Sequence, residues 1–257
     1  MTACKLCTES KPLCKSHIIP YAVFCDAKPA GQGLNLVTTG RIEKNKFGGE
    51  YERLLCRDCE GRLGRYDEYG IRFLRGDEGE VIPVLDGKMI PSDRFDLRSG
   101  VDLKKLRLFV IAVLWRASVS SRPFYQHVVL GSYEDTARDI LWEDRLLGDD
   151  DFPFVILQYT EPYARQVIIA PDKMHMDGRN AYNLNMCGHN FMVKVDSQPF
   201  ADSLGILYRM LNDRGLVLVI KKSLYQSPEL GELLDLVRRA TKGEHATDPP
   251  DGRSRKG

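Results

Sequence analysis

Two Cys-x-x-Cys pairs, Cys4/Cys7 and Cys56/Cys59, sit in the first quarter of the chain, and four thiolates in two such knuckles make the ligand set of a tetrahedral structural zinc. The segment that carries them is rich in charge and turn residues and poor in long apolar runs. A domain so small needs its metal to fold, since structural zinc supplies roughly 10 to 16 kcal/mol in small fingers, more than such a core yields alone. The bland alternative is two independent pairs of buried thiols. Cys14 and Cys25 have no x-x partner and read as small buried hydrophobes. Seven cysteines is an odd number, and paired knuckles in a reducing compartment read as a metal site before they read as disulfides.

Composition bounds the rest. With 257 residues, 43% hydrophobic, the chain can build one large domain or two modest ones around a real core. Its net charge of +1 does not advertise a nucleic-acid binder, so attraction to phosphate would have to come from a local patch. Residues 1–75 carry 13 Lys and Arg against 9 Asp and Glu, an excess that falls to about +2 once four thiolates and Zn²⁺ are counted. The N-terminus has no apolar leader, and the longest purely apolar run, 108–115, is far short of the ~20 residues of a membrane span. A cytoplasmic protein with no membrane contact is expected.

The patterning predicts an α+β chain: a zinc-binding unit over 1–75, a connector or β-ribbon over 76–100, a helical then mostly antiparallel-sheet domain over 101–241, and a disordered tail over 242–257. In the ribbon, short strands at 81–85 and 88–90 flank the Asp86-Gly87 turn. Asp102 is a candidate N-cap for a helix apolar on both faces, hence central. Helices are also expected at 133–147 and 228–241, and strands at 154–159, 166–170, 191–195 and 216–221, the first two as a hairpin. Near the second knuckle, Leu54-Leu55 reads as a strand end and 61–69 as a helix, so the order is knuckle, hairpin, knuckle, helix: a treble clef.

Between the knuckles lies Lys15-Ser16-His17-Ile18-Ile19-Pro20, and Leu54-Leu55-Cys56-Arg57-Asp58-Cys59-Glu60 leads toward Asp67. This combination resembles the zinc-containing branch of the HNH endonucleases, with their ββα-metal core, and more narrowly an uncharacterised prokaryotic HNH-like group with a Ser-His-Ile-Ile-Pro segment. The resemblance covers roughly residues 1–70. It implies that His17 is the general base that activates water, and that Glu60 stands where HNH enzymes place a His or Asn metal ligand. Two positions depart from the family. Ser16 replaces the acidic residue that precedes the base, and Tyr51 or Glu52 falls where the middle Asn belongs.

Phosphodiester hydrolysis needs a hard cation, oxygen ligands to hold it and a base near neutral pKa. A carboxylate absent at Ser16 is replaced in this reading by Glu60; Glu60 and Asp67, seven residues apart, share a helix face with Gly64 between them, and Mg²⁺ or Mn²⁺ is the expected catalytic cation. Arg41, Lys44 and Lys46, with Arg57, Arg62 and Arg65, could track a phosphate backbone of nucleic acid, DNA foremost, although Glu43, Glu50 and Glu52 dilute the patch. His175 and the Cys187-Gly188-His189 run have nothing to fix them as a second metal site. Trp115-Arg116 reads as core packing with a snorkelling arginine. Two readings of different class follow: a metal-dependent nuclease whose second domain selects the target, and an inactive zinc module that binds nucleic acid or a protein partner.

Overall fold

The structure is a computed structural model that describes residues 3–26, 34–38, 41–45, 50–145, 148–176, 178–199, 208 and 211–223. The helix expected at 228–241, the tail at 242–257 and Lys46 lie outside the described residues, as do the side chains of Cys25, Arg41 and Lys44.

The N-terminal segment is built from β1 (Ser16–His17), the short helix α1 (Tyr21–Asp26), β2 (Leu34–Thr38), β3 (Arg41–Asn45), β4 (Tyr51–Glu52) and the long helix α2 (Arg57–Arg75). β1 pairs antiparallel with β4, so that His17 lies opposite Tyr51 and Ser16 opposite Glu52. Helix α2 begins directly on the second knuckle and is longer than the 61–69 that the sequence pattern predicts. Its end is set by Gly76 in the left-handed region, φ 89°, which lets the N–H groups of Gly76 and Asp77 close on the carbonyls of Phe73 and Arg72.

Next come β5 (Glu80–Val81), β6 (Val84–Leu85), β7 (Lys88–Met89) and β8 (Phe95–Ser99). β6 and β7 form the hairpin expected around Asp86 and Gly87, both at positive φ as a two-residue turn requires. Strands β5 and β8, drawn from the stretch read as a connector, belong to the main sheet. Helix α3 (Leu103–Val119) is capped by Asp102, whose carboxylate accepts the Lys105 N–H at 3.0 Å, and residues 106–117 are all buried, as a helix apolar on both faces demands. Helix α4 (Tyr133–Glu143) stops short of the expected 147 because Asp144 turns left-handed, φ 52°, where Arg65 and Lys104 hold its carboxylate.

The remaining strands are β9 (Phe154–Tyr159), β10 (Val167–Ile169), β11 (Asp172–Met176), β12 (Arg179–Met186), β13 (His189–Lys194) and β14 (Val217–Lys222). They complete a mixed seven-stranded sheet, β11-β12-β13-β9-β14-β8-β5, antiparallel except where β14 meets β9. The expected hairpin of 154–159 with 166–170 does not form. Both edges of β9 are taken by β13 and β14, and β10 leaves the sheet to run parallel to β2. Strands β11 and β12 escape the sequence pattern, since Asn180, Asn183 and Asn185 are poor strand formers. Cys187-Gly188 is the two-residue turn joining β12 to β13, with φ of 49° and 74°.

One continuous cluster of buried apolar side chains includes Cys4, Ile18, Phe24 and Leu63 of the N-terminal segment, most of α3, and Phe191 and Val219 of the sheet. Helices α2 and α3 touch at Gly70, where an added Cβ would fall 2.2 Å from the Phe109 ring. The architecture is therefore mixed α and β, with α3 at its centre. Among the described residues no helix is long and apolar enough to cross a membrane.

Candidate metal centre and the His17 site

The two knuckles are brought together by backbone pairing. The Lys5 N–H donates to the Leu54 carbonyl at 2.9 Å, the Cys14 N–H donates to the Leu55 carbonyl at 2.7 Å, and Leu13 bridges to Cys56. Leu54 and Leu55 are thus the buried, extended lead-in to the knuckle, while the strand proper ends at Glu52. The result is four ligand atoms, from Cys4, Cys7, Cys56 and Cys59, all within 4.8 Å of one another. Among the described residues this is the only group of three or more such side chains, and its donor set fits a metal such as zinc.

The electrostatics of the bare thiols argue the same way. Burial, then the neighbouring Cys56 and Cys4 sulfurs, pushes the Cys59 thiol far up. Burial also opposes ionisation of Cys4, but hydrogen bonds from the backbone of Cys56, Cys7 and Leu6 prevail and bring it down to about 7. The charge on Cys4 adds to the burial that keeps Cys59 protonated. A divalent cation removes that conflict, and the N-terminus of α2, opening at Cys56, adds its partial positive charge.

Beside this centre, β1 and α2 present the acidic and basic groups to one another. Ser16, 0% exposed, donates its hydroxyl to Glu60 Oε2 at 2.5 Å. Asp67 does not stand free. Both of its oxygens accept from Arg116 of α3, each at 2.7 Å, and Arg116 is only 1% exposed. The expectation that Arg116 snorkels to solvent is therefore overturned, because a planar guanidinium can satisfy a carboxylate two-fold inside the core where its tip would otherwise need water.

His17 is half-buried and feels the charges of Arg116 and Asp67. Burial, reinforced by the positive charge of Arg116 and opposed by Asp67, lowers its pKa from the ordinary 6.5, so the imidazole is neutral at neutral pH. Burial also raises the Glu60 carboxyl above the usual range, against the opposing effects of the Ser16 hydroxyl and Arg116. The carboxylates expected to share a divalent cation thus have different engagements: Asp67 is committed to a guanidinium, whereas Glu60 keeps one oxygen beyond its bond to Ser16.

Glu52, one of the two residues at the position of the family's Asn, accepts from Ser120 Oγ and from the N–H and hydroxyl of Ser121, closing the end of α3. The other, Tyr51, lies with Tyr21 against the His17 ring, at centroid distances of 5.9 and 5.3 Å. Of the basic set, Arg62 donates to the Trp142 carbonyl and Arg65 pairs with Asp144, lashing α2 to the end of α4. Arg57 is exposed at the start of α2, and Arg41 and Lys44 lie on β3. His175 is exposed on β11, while His189 is buried with Nδ1 against the Cys187 carbonyl, so the two do not form a metal site.

Sequence reasoning missed Arg116, Lys15 and Arg122. The one available signal for Arg116 was its place inside a helix apolar on every side. Lys15 and Arg122 reach the site through Tyr51: the Lys15 ammonium lies 4.8 Å from its ring, and Arg122 Nη2 donates to its carbonyl at 2.7 Å. Comparison with protein-family models, with curated proteins and with solved structures finds no match to this chain.

Proposed function

We propose that this chain is an HNH-type endonuclease that hydrolyses nucleic-acid phosphodiester bonds, with His17 as general base. The zinc held by Cys4, Cys7, Cys56 and Cys59 is structural in this reading, and the order of knuckle, β1–β4 pair, knuckle and α2 corresponds to a treble clef. The observation that carries the proposal is the half-buried imidazole of His17, between the knuckles in sequence and within reach of the charges of the Arg116–Asp67 pair.

A neutral Nε2 or Nδ1 can take the proton of an attacking water, and the low pKa keeps that nitrogen free of protons at working pH. Ser16 donates to Glu60, and Arg116 holds Asp67 close enough for its charge to act on His17. Glu60 would hold Mg²⁺ or Mn²⁺ through its second oxygen together with substrate phosphate oxygens, a ligand set of the kind Mg²⁺ uses. Such a cation, when bound, neutralises charge developing on the phosphate.

The pairing of Asp67 with Arg116 favours a second reading, in which the site has lost its cation chemistry and the zinc module binds nucleic acid or a protein without cutting. Plasmid nicking with and without Mg²⁺ or Mn²⁺ separates the two. Divalent-dependent nicking that is lost in His17→Ala at equal zinc content is expected. Absence of nicking, or equal nicking by the variant, gives the second reading.

A further inference from the structure

Hydrolysis alone does not call for exposed aromatic rings, yet two of them flank the proposed base. Tyr21 is 51% exposed and Tyr51 40% exposed, and among the described residues the remaining large exposed aromatic is Trp142. Their rings lie 5.3 and 5.9 Å from the His17 ring and are tilted to it by 50° and 60°, so the three form an open, faceted aromatic surface.

Cations border the same surface. The Lys15 ammonium sits 4.8 Å from the Tyr51 ring centroid, and the Arg122 guanidinium 5.9 Å from it. Arg122 also donates through Nε and Nη2 to the Tyr51 carbonyl, at 3.1 and 2.7 Å, and approaches Glu50 at 3.8 Å. Tyr51 is thereby held in place at the backbone while the side chain stays partly exposed under the Lys15 and Arg122 cations, which a base could displace toward its phosphates, and this spares the ordering cost of a flexible platform.

We propose that the His17 surface takes unpaired nucleotides, with Tyr21 and Tyr51 as stacking platforms for bases and Lys15 and Arg122 beside the backbone phosphates. The inference rests on the nuclease reading for its ligand class. Exposed rings interleaved with cations are the arrangement that tracks single strands, because every unpaired base offers a π-face whatever its sequence. A duplex hides those faces and is held mainly by phosphate contacts. This chain lacks a strong basic field, with a net charge of +1, and two of its candidate phosphate ligands, Arg62 and Arg65, are engaged by Trp142 and Asp144. Stacking has more to offer here than bulk charge. The chemistry is common to DNA and RNA single strands.

The test is fluorescence anisotropy of the zinc-loaded full chain, without added divalent cation, on short labelled DNA and RNA single strands and on duplexes of the same sequences. Single strands are expected to bind at least about tenfold more tightly than duplex, with Tyr21→Leu and Tyr51→Leu each weakening single-strand binding about tenfold and Tyr51→Phe restoring it. A duplex bound as tightly as the single strand overturns the inference, as does absence of single-strand binding or wild-type affinity in both leucine variants. The wild-type ratio of the two affinities needs no variant to fold. Single-strand binding without any nicking would remove the hydrolase reading alone; nicking with no preference for single strands would remove this inference alone.

Discussion

Arg116 carries a full positive charge at 1% exposure, and among the described residues its ion-pair partner is Asp67, itself largely shielded. Such a pair adds little net stability over apolar residues of the same shape, but removing one partner leaves the other charged and dry. Asp67→Ala should therefore cost about 3 to 5 kcal/mol in chemical denaturation, far more than a solvated helix aspartate would. A loss under about 1 kcal/mol would mean the charge finds compensation elsewhere. The contrast with the cysteines shows which residues a sequence can reveal. Metal ligation forces a spacing within each knuckle, so the cluster of Cys4, Cys7, Cys56 and Cys59 was legible. Asp67 and Arg116 are separated by 49 residues and joined only by the packing of α2 on α3, which leaves no local trace.

Elements packed as closely as α2 and α3 tolerate no added bulk at their contact. Gly70→Ala would drive a methyl group into the Phe109 ring, and a loss of about 1 to 3 kcal/mol is expected despite alanine's better helix propensity. A stabilised Gly70→Ala protein would contradict the packing of these two helices. On β13, burial first, then the positive charges of Arg98 and Arg165, lowers His189 to about 4. The unfolded histidine protonates near 6.5, so the stabilisation is fully present above that pH and is lost as pH falls from 6.5 to about 4. The slope should approach about 1.4 kcal/mol per pH unit across that window and vanish in His189→Gln. A wild-type slope in the variant would move the effect to other groups. Strands and turns with local signatures, such as β9 and the Asp86-Gly87 hairpin, were readable; β12 was not, because its strand state is imposed by neighbours on both sides and not by its own asparagines.

At the scale of the molecule, the cluster of buried side chains that begins at Cys4 continues through α3 into the sheet. Loss of the metal should then be felt well beyond the knuckles. Cys59→Ser is expected to lower the midpoint of one calorimetric transition that covers the whole chain; two separate transitions, one unchanged, would show that the four-cysteine segment folds by itself. The overall class, mixed α and β with a central helix, followed from periodicity. The sharing of one core between the four-cysteine segment and the later sheet depends on long-range contacts that periodicity does not encode.

The proposed role of His17 as base is tested most directly by the initial rate of strand scission between pH 5 and pH 8. Burial and Arg116 hold its pKa below 6.5, so the rate should be flat above that value and fall tenfold per pH unit once pH drops below the depressed pKa, with the dependence gone in His17→Ala. No scission, an inflection above 6.5, or an unchanged profile in the variant would contradict it.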